Sequence, residues 1–166
     1  MKHEIERRFL LKEMPTLDDL ESITCEKYIV QLGDLVEETV EKKNGTFFYE
    51  KKICLSHQEC NTETSSISKE DFEKMKGQAS SPLYYKKYLY EINPSITVII
   101  FEGNLEGLVR ADVTFSSHEE AEAFTVLPWM GKEVTHAPLG LDKNLMNLTK
   151  EECGNLIHQE IRSVAI

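Results

Sequence analysis

The first residues constrain the fold most, because they place charges at every second position of a predicted β-strand. Successive side chains of a strand point to opposite faces, so Glu4, Glu6 and Arg8 share one face, opposite Ile5 and Phe9. Two carboxylates beside a guanidinium suit a polar cavity that binds a metal ion and an anion, since Mg²⁺ and Mn²⁺ take carboxylate oxygens. A solvated edge strand of mixed charge is the alternative for so short a pattern.

Further β-rich segments follow, separated by turn residues. Asn44-Gly45 is typical of a two-residue hairpin turn, and Asn93-Pro94 lies between two more predicted strands. Capping and spacing patterns predict short helices at residues 16–23, 68–76, 117–124 and from 148 towards the end. We therefore predict an α+β fold: an antiparallel, eight-stranded closed or nearly closed β-barrel with flanking short helices and a C-terminal helix. The 166 residues contain no repeat and no long linker, which predicts a single domain over 1–166.

The net charge argues against two classes of partner. Asp and Glu number 29 against 19 Lys and Arg, giving a net charge of −10, which does not favour binding to nucleic-acid duplexes or anionic membranes. The charged start and the lack of a long apolar run predict no signal peptide and no membrane span. Four cysteines without a C-x-x-C pair or zinc spacing are interpreted as reduced thiols of a cytoplasmic protein. They are Cys25, Cys54, Cys60 and Cys153.

The order of these segments resembles the CYTH family, also called triphosphate tunnel metalloenzymes. The resemblance rests on residues 4–10, on Asn44-Gly45 followed by Lys52, and on residues 87–90, 101–108 and 128–135, the last reading P-W-x-G-x-E-V-T. The family implies a tunnel of antiparallel strands in which glutamates bind Mg²⁺ or Mn²⁺ and basic side chains hold a triphosphate. Its members hydrolyse inorganic or thiamine triphosphate, remove an RNA 5′ phosphate or cyclise ATP.

Carried over position by position, the resemblance assigns part of the family's site to this chain. Glu4 and Glu6 match the catalytic glutamates that bind the metal, and Asp112 is a third candidate ligand with a shorter side chain. Four cations are the candidates for phosphate binding. They are Arg8, Lys52, Lys87 and Arg110.

Other tunnel positions have lost the family's charges. A pair of arginines is replaced by Thr39 and Glu41, and an aspartate by Ile99. An arginine followed by alternating glutamates is replaced by uncharged residues at the same spacing, which are Cys60, Thr62, Thr64 and Ser66. Each missing charge-assisted contact would remove about 1.5–3 kcal/mol of phosphate binding.

Two hypotheses follow. The favoured one is a tunnel protein that binds a triphosphate, an organic phosphate or a nucleotide, with weakened or altered catalysis, because the substitutions cluster on tunnel-facing positions while the framework motifs persist. The alternative is an active Mg²⁺- or Mn²⁺-dependent triphosphatase or an enzyme similar to adenylate cyclase. A homodimer is one assembly that the sequence leaves open.

Overall fold

The computed structural model describes residues 2–79 and 81–164, and its central feature is a β-barrel. This part of the chain contains nine strands: β1 Lys2–Leu11, β2 Ser22–Leu32, β3 Val36–Lys43, β4 Thr46–Cys54, β5 Glu59–Ser66, β6 Leu83–Ile92, β7 Ser95–Phe101, β8 Val109–Phe115 and β9 Met130–Glu133. It also contains four α-helices: α1 Lys69–Lys76, α2 His118–Ala123, α3 Asp142–Leu145 and α4 Lys150–Val164.

The first eight strands close into the barrel. Their spatial order is β5-β4-β3-β2-β6-β7-β8-β1, and β1 pairs back onto β5. All neighbouring strands run antiparallel. The short β9 pairs with the C-terminal end of β1, beside the barrel. The predicted α+β fold with an eight-stranded closed barrel is therefore confirmed.

Local sequence signals explain several of these elements. Asn44 and Gly45 have φ angles of 47° and 86°, the left-handed conformations that a tight turn between β3 and β4 requires. The Ser68 hydroxyl accepts a hydrogen bond from the Asp71 backbone N–H at 3.0 Å and begins α1. Both predictions are confirmed.

The helix predicted at residues 16–23 is wrong. Residues 17–20 form only a turn, closed by the Leu20 N–H donating to the Leu17 carbonyl, and β2 begins at Ser22. Ser22 pairs with Tyr88 of β6. A helix this short is marginal alone, so strand pairing outweighs its capping signal.

The apolar core packs around the barrel rather than filling it. Ile5 and Phe9, on the outward face of β1, are 2% and 1% exposed and pack under α2 and Trp129. A second cluster joins one end of the barrel to the C-terminal helices through Leu139, Leu145 and Cys153. Because apolar side chains cover the outside, the opposite faces of the strands are left to polar residues. Within residues 2–79 and 81–164, no helix has the length and hydrophobicity needed to cross a bilayer.

The prediction of four reduced thiols is wrong for one pair. Cys54 of β4 lies directly opposite Cys60 of β5, and the two form a disulfide. The two cysteines face each other across a hairpin and are 6 residues apart in sequence, so a search for C-x-x-C pairs does not find them. Cys25 and Cys153 are buried free thiols. Cytoplasmic localisation stays a prediction, and the argument from four reduced cysteines no longer supports it.

Candidate functional site

The barrel encloses a polar cavity of about 910 Å³. All seven residues predicted from the sequence line it: Glu4, Glu6 and Arg8 of β1, Lys52 of β4, Lys87 of β6, and Arg110 and Asp112 of β8. The two-residue period of each strand brings these side chains to the inner face. The cavity is not filled by apolar groups, so its chemistry depends on how the charges are paired.

The acidic pair on β1 has two different environments. The Arg8 guanidinium donates through Nη2 to Glu6 Oε2 at 2.9 Å and through Nη1 to the His57 carbonyl at 3.1 Å. Burial raises the pKa of Glu6, but the charges of Arg8 and Lys52 outweigh it and lower the pKa overall. Burial and the neighbouring Glu6 charge raise the pKa of Glu4, whose nearest cation is the exposed Lys2 at 3.3 Å. Glu4 is therefore the less neutralised carboxylate of the pair.

Arg110 is fully engaged within the protein. Its Nε and Nη2 donate to the two carboxylate oxygens of Asp112 at 2.7 and 2.9 Å. Its Nη1 donates to Asp142 Oδ1 at 3.1 Å and to the Leu139 carbonyl at 3.2 Å. The second oxygen of Asp142 accepts from Lys27 Nζ at 3.0 Å. Four charged side chains from three separate elements thus form one connected network.

Lys52 and Lys87 differ from these cations. In the described part of the chain, the structure gives neither of them a salt bridge within 4.0 Å. Lys52 lies opposite Thr62 of β5 and near enough to lower the pKa of Glu6. Lys87 lies 5.6 Å from the centre of the Tyr85 ring. Both ammonium groups line the cavity and are available to an anion.

Glu41 brings negative charge to the wall at a position where the family resemblance predicted an arginine. It lines the cavity and accepts a hydrogen bond from the Tyr85 hydroxyl. Burial raises the pKa of Glu41, but the charges of Lys87, Lys27 and Lys43 outweigh it, so the carboxyl stays ionised. An anion near Lys87 therefore meets a competing carboxylate.

Sequence reasoning missed Lys27 and Asp142. Lys27 shares one face of β2 with Cys25 and Ile29, which lie two residues before and after it and are 2% and 5% exposed. Its inward direction therefore follows from the two-residue period once the strand begins at Ser22. Asp142 carried no comparable signal, because it belongs to the short helix α3 and reaches the barrel only through tertiary packing.

The lining charges nearly cancel. Eight basic residues line the cavity: Lys2, Arg8, Lys27, Lys43, Lys52, Lys87, Arg110 and Lys143. Nine acidic residues oppose them: Glu4, Glu6, Asp34, Glu37, Glu41, Glu50, Glu63, Asp112 and Asp142. A site for a polyanion normally carries an excess of cations, so this cavity has less attraction for phosphate than its number of basic residues suggests.

The donor set fits a divalent cation only in part. Among the described residues, no group of three or more His, Cys, Asp or Glu side chains has the geometry to hold a metal. Both oxygens of Asp112 accept from Arg110, so of the three predicted ligands only Glu4 and Glu6 remain, and one oxygen of Glu6 already accepts from Arg8 at 2.9 Å. Two carboxylates suffice for Mg²⁺ when water and substrate phosphates supply its remaining ligands.

Solved structures share this fold. The inorganic triphosphatase NE1496 is 25% identical, with a TM-score of 0.62 over 88% of this chain and 95% of that one. A conserved hypothetical protein from Pyrococcus furiosus is 14% identical, with a TM-score of 0.57 over 72% and 83% of the two chains. HpAC1 from Hippeastrum, an adenylyl cyclase candidate with a dominant triphosphatase activity, is 10% identical, with a TM-score of 0.51 over 74% and 83%.

No protein-family model and no curated protein matches the sequence. The likeness to the two more distant structures shows the fold alone. Together with NE1496, these neighbours confirm the resemblance to CYTH-type tunnel proteins that the sequence motifs indicated.

Proposed function

We propose that the tunnel binds a small phosphorylated anion, a triphosphate or an organic phosphate, together with a divalent cation, and that its catalysis is weakened or altered. The observation that carries this proposal is the meeting of Lys52 and Lys87, two cations without salt bridges in the described structure, with Glu4 and Glu6 in one cavity. The likeness to an inorganic triphosphatase supports the same class of ligand.

Each lining residue has a distinct part in this proposal. Lys52 and Lys87 donate charge-assisted hydrogen bonds to phosphate oxygens. Glu4 and Glu6 hold Mg²⁺ or Mn²⁺, and the raised pKa of Glu4 reflects burial and, after it, repulsion from Glu6, which a bound cation would offset. When bound, a divalent ion polarises the phosphoryl group and makes a bound water more acidic. Asp112 joins this set only by leaving Arg110.

Internal pairing of the cations supports the proposal of weakened phosphate binding and catalysis. Arg8 and Arg110 are 6% and 2% exposed and already donate to carboxylates, so an anion has to compete for them. Leaving one partner of a buried ion pair without its counter-charge costs about 3–5 kcal/mol. This cost exceeds the roughly 1.5–3 kcal/mol gained from a new charge-assisted contact with the anion. The anion is therefore bound mainly by the lysines.

An active triphosphatase is the second candidate. The presence of Glu4 and Glu6 in the same cavity as Lys52 favours it, because this combination provides both a metal site and a phosphate contact. The two candidates predict the same binding but differ in turnover.

Binding and turnover can be measured on the same preparations. Calorimetric titration with tripolyphosphate and Mg²⁺ should show binding that Lys52→Gln weakens about 10-fold or more. Lys51→Gln is the matched control, because Lys51 is the next residue on β4, is exposed and lies outside the cavity lining. Failure of tripolyphosphate, ATP and simple phosphate esters to bind would overturn the proposal.

Phosphate release then separates the two candidates. Metal-dependent release from tripolyphosphate or ATP that Glu6→Gln abolishes would establish the enzyme. The exposed Glu122 on α2 supplies the control, since Glu122→Gln removes an equal charge outside the tunnel. Binding without release in the wild type would support the binding protein with weakened catalysis.

A further inference from the structure

The carboxylate of Asp142 bridges two cations of the tunnel wall. Its two oxygens are 3.0 Å from Lys27 Nζ and 3.1 Å from Arg110 Nη1. Lys27, Arg110 and Asp142 all line the tunnel, and the two cations come from β2 and β8, which β6 and β7 separate. A single anion bridging cations across a barrel wall is the arrangement that a phosphate would adopt there.

Asp142 is held by packing and does not behave as a loose lid. A Cβ atom built on Gly140 would lie 1.7 Å from the Val134 carbonyl oxygen, so the chain just before α3 touches the backbone after β9. Leu139 and Leu145, on either side of Asp142, are 0% and 1% exposed. The carboxylate is therefore a fixed part of the tunnel wall.

The charges of this network persist at neutral pH. Burial raises the pKa of Asp142, but the charges of Lys27 and Arg110 outweigh it and hold the pKa far below its usual range. Burial lowers the pKa of Lys27, but Asp142, Glu37 and Glu41 outweigh it and raise the pKa. The pair is thus fully charged when a ligand arrives.

We propose that Asp142 permanently fills one phosphoryl-binding position of the tunnel and thereby limits the length of phosphate chain that the protein recognises. Lys52 and Lys87, two lining cations without salt bridges in the described structure, bind one or two phosphoryl groups, and a third phosphoryl group finds its position taken. This inference rests on the proposed function and narrows it: pyrophosphate and short phosphate esters bind as well as tripolyphosphate.

Comparing two chain lengths tests the inference. With Mg²⁺ present, the wild type should bind pyrophosphate and tripolyphosphate with dissociation constants within about threefold of each other. Asp142→Asn frees Lys27 and one donor of Arg110, so tripolyphosphate should then bind at least about 10-fold more tightly than pyrophosphate. Glu63→Gln is the control: it removes a carboxylate that lines the same cavity from β5, and it should leave the ratio unchanged.

Three results would decide against the inference. A wild type that already prefers tripolyphosphate more than 10-fold overturns it, and so does an Asp142→Asn variant that binds both anions with an unchanged ratio, because Asp142 is then only a counter-ion. If neither anion binds the wild type or any variant, the proposed function fails as well, which distinguishes the two failures.

A second variant guards against misfolding of Asp142→Asn. Lys27→Gln combined with Asp142→Asn removes both charges and leaves Arg110 as the freed cation, so the ratio should rise about threefold. In addition, tripolyphosphate should raise the melting temperature of Asp142→Asn more than that of the wild type, because the added anion replaces the missing carboxylate. A folded double variant with no change in ratio, or equal shifts in melting temperature, would refute the inference.

Discussion

Replacing Gly140 with alanine tests whether the chain before α3 is as tightly packed as the structure indicates. The added Cβ would lie 1.7 Å from the Val134 carbonyl oxygen, and ordinary contacts begin at 3.4 Å, so the two backbones must separate by about 1.7 Å. That carbonyl also accepts a hydrogen bond from the Ala137 N–H at 3.0 Å, and Val134 is fully buried. The clash cannot be relieved by rotating a side chain.

The cost follows from these contacts. Overpacking contributes about 1–3 kcal/mol and the weakened hydrogen bond of a buried carbonyl about 1–3 kcal/mol, so Gly140→Ala should lower the free energy of unfolding by about 2–6 kcal/mol. For a chain of this size, the melting temperature should fall by roughly 5–20 °C. Differential scanning calorimetry or thermal circular dichroism measures both quantities.

Gly154 provides the matched control. It lies inside α4 and is exposed, and a Cβ atom added to it would meet nothing within 4 Å. Gly154→Ala should therefore raise stability by about 0.8–1 kcal/mol, as glycine is a poor residue in a helix interior. Equal melting temperatures for Gly140→Ala and the wild type would refute the packing on which a fixed Asp142 depends.

Two further predictions concern stability. Because the pKa of Glu6 is lowered in the folded protein, Glu6 stabilises the fold above its unfolded-state pKa, and this stabilisation is lost as pH falls. The pKa of Glu4 is raised, so Glu4 stabilises the fold at low pH, and that stabilisation is lost as pH rises. At pH 7, Glu6→Gln should destabilise and Glu4→Gln should stabilise the protein in urea titrations, and the same sign for both would contradict the pairing. Replacing Cys54 and Cys60 together with serine should cost about 2 kcal/mol, because the disulfide closes a loop with a sequence separation of only 6. A loss above about 4 kcal/mol would show that the disulfide does more than close this hairpin.

Much of the barrel was predictable because its signals are local. Alternation along β1 separated Glu4 and Glu6 from Ile5 and Phe9, and the structure places the two sets on opposite faces. Strand periodicity needs no knowledge of the partner strand, which is why it survives in a single sequence. The lining position of Lys52 could be inferred only by adding the family resemblance, since Lys51 beside it has the same chemistry.

The features that sequence reasoning missed depend on pairing across space. The Cys54–Cys60 disulfide follows from the register of β4 against β5, which no spacing motif encodes. The ion pair of Lys27 with Asp142 joins residues 115 positions apart. The ninth strand is defined by its pairing with β1, where Met130 lies opposite Leu11 and Glu133 opposite Phe9. Such contacts depend on the assembled fold, and the local propensities of the residues do not predict them.

The internal carboxylates resolve a conflict between folding and binding. Two like charges about 7 Å apart in a medium of effective dielectric constant about 20 repel each other by roughly 2 kcal/mol, so eight unpaired cations in one cavity would destabilise a barrel with no ligand. Salt bridges of five of these cations with carboxylates, formed by Lys2, Arg8, Lys27, Lys43 and Arg110, remove much of that repulsion. The consequence is weaker attraction for anions, because a phosphate gains most from cations whose charge is not already satisfied. The affinity of this tunnel for phosphate therefore depends on the number of basic residues that have no internal partner, and not on the total number of basic residues.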